Sequence, residues 1–271
     1  MADEILQPKI DTATAIAAVR RSAVWSLGLR LALLVGISVG FLMVNRGMDL
    51  VGGSVMAGVI AILFMLSGKS MRTQQAVGRA SQLIGAGQYD EAEKTLSQGL
   101  KSLMLYHGPR LGMLQNLAAL RHAQRRFRDA ALLATELLRY RKGAGTVDRP
   151  LRLMLAECAL EMNDLQTAHA ALAQIPPVLP VREMLKLMEL QVEYCVRISA
   201  WPAALDQLPM KVELAELLPA EPAARVQGLL ALAAHREGRS DWASWLKRRA
   251  ELLTDIPRLV EARPMLRELW S

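Results

Sequence analysis

The chain has 271 residues, 52% of them apolar, 4% aromatic and 22% charged, with a formal net charge of +7 and two cysteines. That length allows one or two domains, and the apolar content excludes a disordered chain. Two cysteines exclude both a disulfide framework and a four-thiolate metal site.

The apolar residues concentrate near the start. Residues 22–45 carry one charge, Arg30, and residues 50–68 carry none. About 20 apolar residues in a helix span a hydrocarbon core of about 30 Å. The sequence therefore predicts a transmembrane helical hairpin over residues 23–68, after a cytoplasmic segment 1–22, with Arg30 reaching back to the headgroups. A cleaved signal peptide is not expected, because a second apolar run follows the first at once. Arg20 and Arg21 precede the hairpin, Lys69, Arg72 and Arg79 follow it, and its turn holds Arg46 beside Asp49. The positive-inside rule then puts both termini, and everything after residue 72, on the cytoplasmic side of the membrane, as a multi-pass protein. Gly36-x-x-x-Gly40 and Ser54-x-x-x-Gly58 are small-residue ridges suited to close packing, within the hairpin or between copies.

From residue 73 the pattern is wholly helical, Leu- and Ala-rich stretches at 3.6 spacing cut by short polar turns. A motif recurs at those turns. Gly87-Gln-Tyr89-Asp-Glu-Ala92 is followed by Arg125-Arg-Phe127-Arg-Asp-Ala130 and Asn163-Asp-Leu165-Gln-Thr-Ala168, then by Ser199-Ala-Trp201-Pro-Ala-Ala204 and Gly238-Arg-Ser-Asp-Trp242-Ala243. The final alanines lie 36 to 39 residues apart. Twelve residues before each stands Ala80, Ala118, Ala156, Val192 or Ala231. Small residues at both places let two helices approach closely, while the large residue plugs the start of the second helix.

These units resemble the tetratricopeptide repeat. Ala80, Leu83, Gly87, Tyr89, Ala92, Leu96 and Gly99 carry the likeness in the first unit, and Leu117, Ala118, Phe127 and Ala130 in the second. The resemblance implies an all-α fold in which the two transmembrane helices precede an α-solenoid of about five helix pairs over residues 73–255, closed by a capping helix over 256–271. Membrane helices followed by such repeats are also similar to the HemY-like inner-membrane proteins, through the stretch YCVRISAWPAALDQLP at residues 194–209. That likeness implies a role in haem or tetrapyrrole metabolism.

No catalytic constellation emerges, and no enzyme, cofactor or metal is predicted. His107, His122, His169 and His235 share no metal-ligand spacing. Cys158 and Cys195 sit among apolar neighbours in mid-helix and read as packing residues. Residues 101–150 carry ten Lys or Arg against three acids. Arg125, Arg126, Arg128, Arg139, Arg141 and Lys142 form a basic patch, suited to anionic lipid headgroups or an acidic partner. Nucleic acid is not expected, because few aromatic residues interleave with the arginines.

In the repeat family the first helix of each pair lines the concave face. The resemblance assigns Gln115, His122, Glu157, Glu189, Glu193 and His235 to that groove. The expected function is a membrane-anchored scaffold that holds a protein or peptide partner in the groove. An accessory protein binding a porphyrin through His122 or His235 is one alternative, and a structural subunit of an envelope or secretion complex is another.

Overall fold

The computed structural model describes residues 10–46, 49–101, 107–140 and 148–270. Among them there are thirteen α-helices, one 3-10 helix and no strand. The chain divides into two compact units, residues 1–140 and 141–271.

In the first unit, α1 (Thr12–Asn45) and α2 (Asp49–Gly85) pack side by side. Asp11 caps α1, its carboxylate accepting from the Ala13 and Thr14 amides. Gly36 brings the two helices together, since a methyl group there would stand 3.1 Å from Val59 Cγ2. On the second ridge, nothing lies within 4 Å of a methyl at Gly58. Leu34, Val35, Phe41, Leu42, Phe64 and Met65 keep their side chains exposed. Helix α2 then continues unbroken to Gly85, so the apolar stretch and the first repeat share one helix.

The membrane assignment is corrected here. Among the described residues, no helix is long and apolar enough to cross a membrane. Arg30 and Arg46 bound a charge-free run of fifteen residues in α1. At 1.5 Å per residue that run covers about 22 Å, short of a core of about 30 Å. The multi-pass inner-membrane location, with both termini cytoplasmic, is therefore not upheld. The side chains of Trp25 and Arg30 lie outside the described residues, as does the turn at Gly47 and Met48.

The last turns of α2 pair with α3 (Tyr89–Lys101), and α4 (His107–Ala123) pairs with α5 (Phe127–Tyr140). In the second unit the pairs are α6 (Asp148–Glu161) with α7 (Leu165–Ala173), and α11 (Ala220–Arg236) with α12 (Ser240–Leu253). Between them α8 (Val181–Arg197) faces a second helix split into α9 (Trp201–Leu205) and α10 (Leu208–Glu216). The split follows from Pro209, whose ring would clash with the Leu205 carbonyl in a continuous helix. Gln207 turns the chain there in the left-handed region, at φ 52°. Lys211 Nζ donates to the Ala203 and Ala204 carbonyls at 3.2 and 2.9 Å, satisfying acceptors near the end of α9. Last come α13 (Ile256–Ala262) and the 3-10 helix Pro264–Leu269. The capping helix expected over 256–271 is thus divided at Arg263, whose backbone is extended before Pro264 at φ −137° and ψ 81°.

One turn geometry repeats five times. Gly87, Arg125, Asn163, Ser199 and Gly238 all have positive φ, between 56° and 74°. In each case the next residue's amide donates to the carbonyl five residues before it, as Gln88 does to Leu83 and Ala200 to Cys195, at 2.8–2.9 Å. The left-handed residue's own amide donates to the carbonyl three before it. This double bond is the Schellman ending, which satisfies the last carbonyls of a helix and reverses the chain. Five residues on, the second helix presents a small side chain. Ala92, Ala130, Ala168 and Ala204 are fully buried and Ala243 is 7% exposed. Ala80, Ala118, Ala156 and Ala231, opposite them, are also fully buried, and Val192 nearly so. Tyr89, Phe127, Leu165 and Trp201 are half-buried where the second helices begin.

Candidate functional site

Helices α6, α8 and α11, the first members of the three pairs in the second unit, lie side by side and share a charged face. Glu157 and Glu161 come from α6, Lys186, Glu189, Glu193 and Arg197 from α8, and Arg225 from α11. Glu157 accepts from Lys186 Nζ at 2.6 Å, and Lys186 also reaches Glu189 at 3.2 Å. Glu189 in turn accepts from Arg225 at 3.0 Å. Burial works to lower the Lys186 pKa, but Glu157 and Glu189 together outweigh it and hold the ammonium charged. Glu193 takes Arg197 at 2.6 Å on one side.

The remaining cation is Arg263, from the segment after α12. Its guanidinium meets Glu161 at 2.5 Å and Glu193 at 2.9 Å. Burial opposes that charge, and Glu193 and Glu161 raise the Arg263 pKa nonetheless. Glu189, Glu193 and Arg263 are 2%, 1% and 6% exposed, so this is an interior network, not a solvated row of charges.

The sequence-predicted groove residues fall in different settings. Glu157, Glu189 and Glu193 are brought together in the network just described. His235 is exposed at the end of α11, 3.9 Å from Glu268. Gln115 and His122 belong to the first unit, where both are half-buried and the His122 ring stands edge-on to Phe127 at 5.8 Å. Glu161 and Arg263 were not singled out by sequence reasoning. Their ion pair joins positions 102 residues apart, and no local pattern in the sequence marks it.

The first unit has its own buried ion pair. Arg121, fully buried on α4, meets Glu93 of α3 at 2.8 Å. It also donates to the Ile10 carbonyl at 2.9 Å and to Gln124 at 2.7 Å. The Ile10 amide donates to the same Glu93 at 3.1 Å, so the segment entering α1 is clasped through its backbone. Ten residues along, Arg20 holds Glu136 of α5 with two bonds of 2.9 Å.

Within the basic patch, Arg126 pairs with Asp129 at 2.7 Å and Arg139 with Glu136 at 3.3 Å. Arg125 and Arg128 are exposed, while Arg141 and Lys142 lie outside the described residues. A cleft of about 600 Å³ opens elsewhere on the second unit, lined by His169, Met184, Met188, Tyr194, Cys195 and Lys211 among others. His169 and Tyr194 stack across it with ring centres 5.6 Å apart. Burial pushes the Cys195 thiol up, and it pushes the Cys158 thiol, with help from Glu157 and Glu161, up to about 12. Such thiols stay protonated at neutral pH and do not supply a thiolate nucleophile. Among the described residues no group of three His, Cys, Asp or Glu side chains could hold a metal ion.

Stacked helix pairs joined by one recurring turn, with a polar face along their first helices, define an α-helical repeat protein. The sequence model of the tetratricopeptide repeat matches residues 121–190, which run from the end of α4 into α8. No curated protein and no solved structure matches the chain, so the resemblance to HemY-like proteins rests on the sequence features alone.

Proposed function

We propose that this protein is a non-catalytic scaffold that holds a protein or peptide partner on the face formed by α6, α8 and α11. The carrying observation is the tetratricopeptide match over residues 121–190, which takes in α6 and the start of α8, together with the stacking of α6, α8 and α11 side by side. Stacked first helices offer a groove into which an amphipathic partner segment can lay its anchoring side chains. His235 and Glu157, at the margins of the charged network, contribute polar contacts, and Arg125 and Arg128 form a second, cationic surface for acidic segments.

Affinity capture followed by quantitative mass spectrometry tests this reading. One protein is expected to co-purify in fixed proportion with the wild-type chain and to fall at least tenfold with Glu157→Lys combined with His235→Ala. Circular dichroism of the variant should match wild type. If no protein co-purifies in fixed proportion, or the variant retains its partner in full, the scaffold reading fails.

A further inference from the structure

The α6–α8–α11 face is already occupied, by this chain's own residues 256–270. Leu259 and Leu266, 4% and 0% exposed, press onto α11 at Gly228. A methyl group at that glycine would stand 3.2 Å from Leu266 Cδ1, 3.6 Å from Leu259 and 3.7 Å from Trp270. Beyond the apolar contact, Arg263 enters between Glu161 and Glu193. Trp270 Nε1 donates to Glu251 at 2.8 Å, and Glu268 pairs with Arg236.

Three features set this segment apart from the repeats it covers. It forms no helix pair, being a seven-residue helix followed by a six-residue 3-10 helix. Its buried anchors, Leu259, Arg263 and Leu266, come in turn from α13, from the extended residue that follows it and from the 3-10 helix, so an arginine stands between two leucines on the covered face. The charges of the face also require it. Among the described residues Glu161 has Arg263 as its ion-pair partner, and half of the Glu193 carboxylate's pairing comes from the same guanidinium. The first helices are thus built with one carboxylate awaiting a cation from outside the helix pairs.

We propose that this face binds a partner segment carrying an arginine between two leucine-sized residues, and that residues 256–270 occupy it in cis as a competing pseudo-ligand. The proposal rests on the scaffold reading and specifies its ligand chemistry and its regulation. Partner binding requires the segment to leave, so the free chain is self-occluded, and a partner's affinity is reduced by the fraction of molecules in which the face is covered.

The test uses the full chain and a fluorescein-labelled peptide of residues 255–271, read by anisotropy. Wild-type chain is expected to bind the peptide weakly, because its own segment competes. The Arg263→Ala chain, with its segment loosened, should bind at least tenfold more tightly, and the peptide with the same change should not bind it. An Arg263→Ala chain that keeps its helicity and melting temperature yet gains no affinity would overturn the proposal. Should that variant fail to fold, hydrogen exchange on the wild-type chain decides. Exchange in 256–270 at least tenfold faster than in α11 shows a segment that opens by itself and supports the proposal, whereas equal protection overturns it. A wild-type dimer that dissociates on Arg263→Ala would also overturn it, in favour of exchange between copies. Capture of a stoichiometric partner with no peptide binding sinks this proposal and leaves the scaffold reading standing.

Discussion

The two units solve the same problem with opposite chemistry. In the first, the clasping arginine belongs to a repeat helix, and the segment it holds offers only the backbone of Ile10. In the second, the arginine belongs to the held segment, and the repeat helices offer the carboxylates. The polar groups of that clasp meet only backbone atoms at position 10, where the Ile10 side chain is buried for its apolar packing. A side-chain clasp reads residue 263 and accepts an arginine, whose planar fork can engage two carboxylates at once. The first unit therefore holds its segment through backbone groups, and the second holds its segment through a side chain.

Removing the arginine of the first unit's clasp should have the largest effect on stability. Arg121→Met leaves the Glu93 carboxylate buried without its cation and should cost about 3–5 kcal/mol. Hydrogen exchange across α4 and α5 measures this, and replacing Glu93 by Gln in the same chain should restore part of the loss. A cost below about 1 kcal/mol would mean that the two clasps are equivalent and that the contrast drawn between them is unfounded.

The turns sharpen the comparison at a smaller scale. Gly87 and Gly238 occupy the left-handed region without a side chain, whereas Arg125, at φ 57°, does so against the preference of an L-residue. Arg125→Gly should stabilise the first unit by about 0.5–1 kcal/mol, seen as a higher denaturant midpoint with an unchanged slope. A lower midpoint would show that the Arg125 side chain contributes more than its backbone geometry costs.

The smallest effect concerns Arg20 and Glu136, an ion pair open to solvent on the arginine side. The hydrogen bond from Arg20 holds the Glu136 carboxyl below the usual carboxylate range, although burial pushes the other way. A pKa depressed by folding stabilises the protein above the unfolded value of about 4.3, and that contribution is lost as pH falls through the lower folded value. Glu136→Gln should accordingly flatten the acid limb of the stability profile below about pH 4.3 and leave the alkaline limb alone. An unchanged acid limb would remove this pair from the list of forces holding α1 to α5.

Much of the repeat architecture was legible in the sequence because its turn makes local demands. A Schellman ending needs one left-handed residue, and a closely packed second helix needs a small side chain five positions later. Both leave marks in a single stretch, as in Asn163 and Ala168. The charged face was legible only in part. The resemblance to the repeat family put Glu189 and Glu193 in the groove, but their burial is compensated by Arg225 and Arg263, 36 and 70 residues away. No local pattern announces such partners. The apolar stretches of α1 and α2 misled in another way, because composition alone did not reveal that α2 runs on into the repeats.

That continuity has a mechanical consequence. A helix of 37 residues is about 55 Å long, and bending it sharply means breaking backbone hydrogen bonds that nothing nearby replaces. Helix α2 therefore works as a lever arm with its far end clamped in the first repeat by Ala80 and by Asn116, which donates to the Val77 carbonyl. A twist or tilt imposed on the hairpin end, by whatever grips its exposed leucines and phenylalanines, arrives at α3 and α4 as torque, without a joint to absorb it.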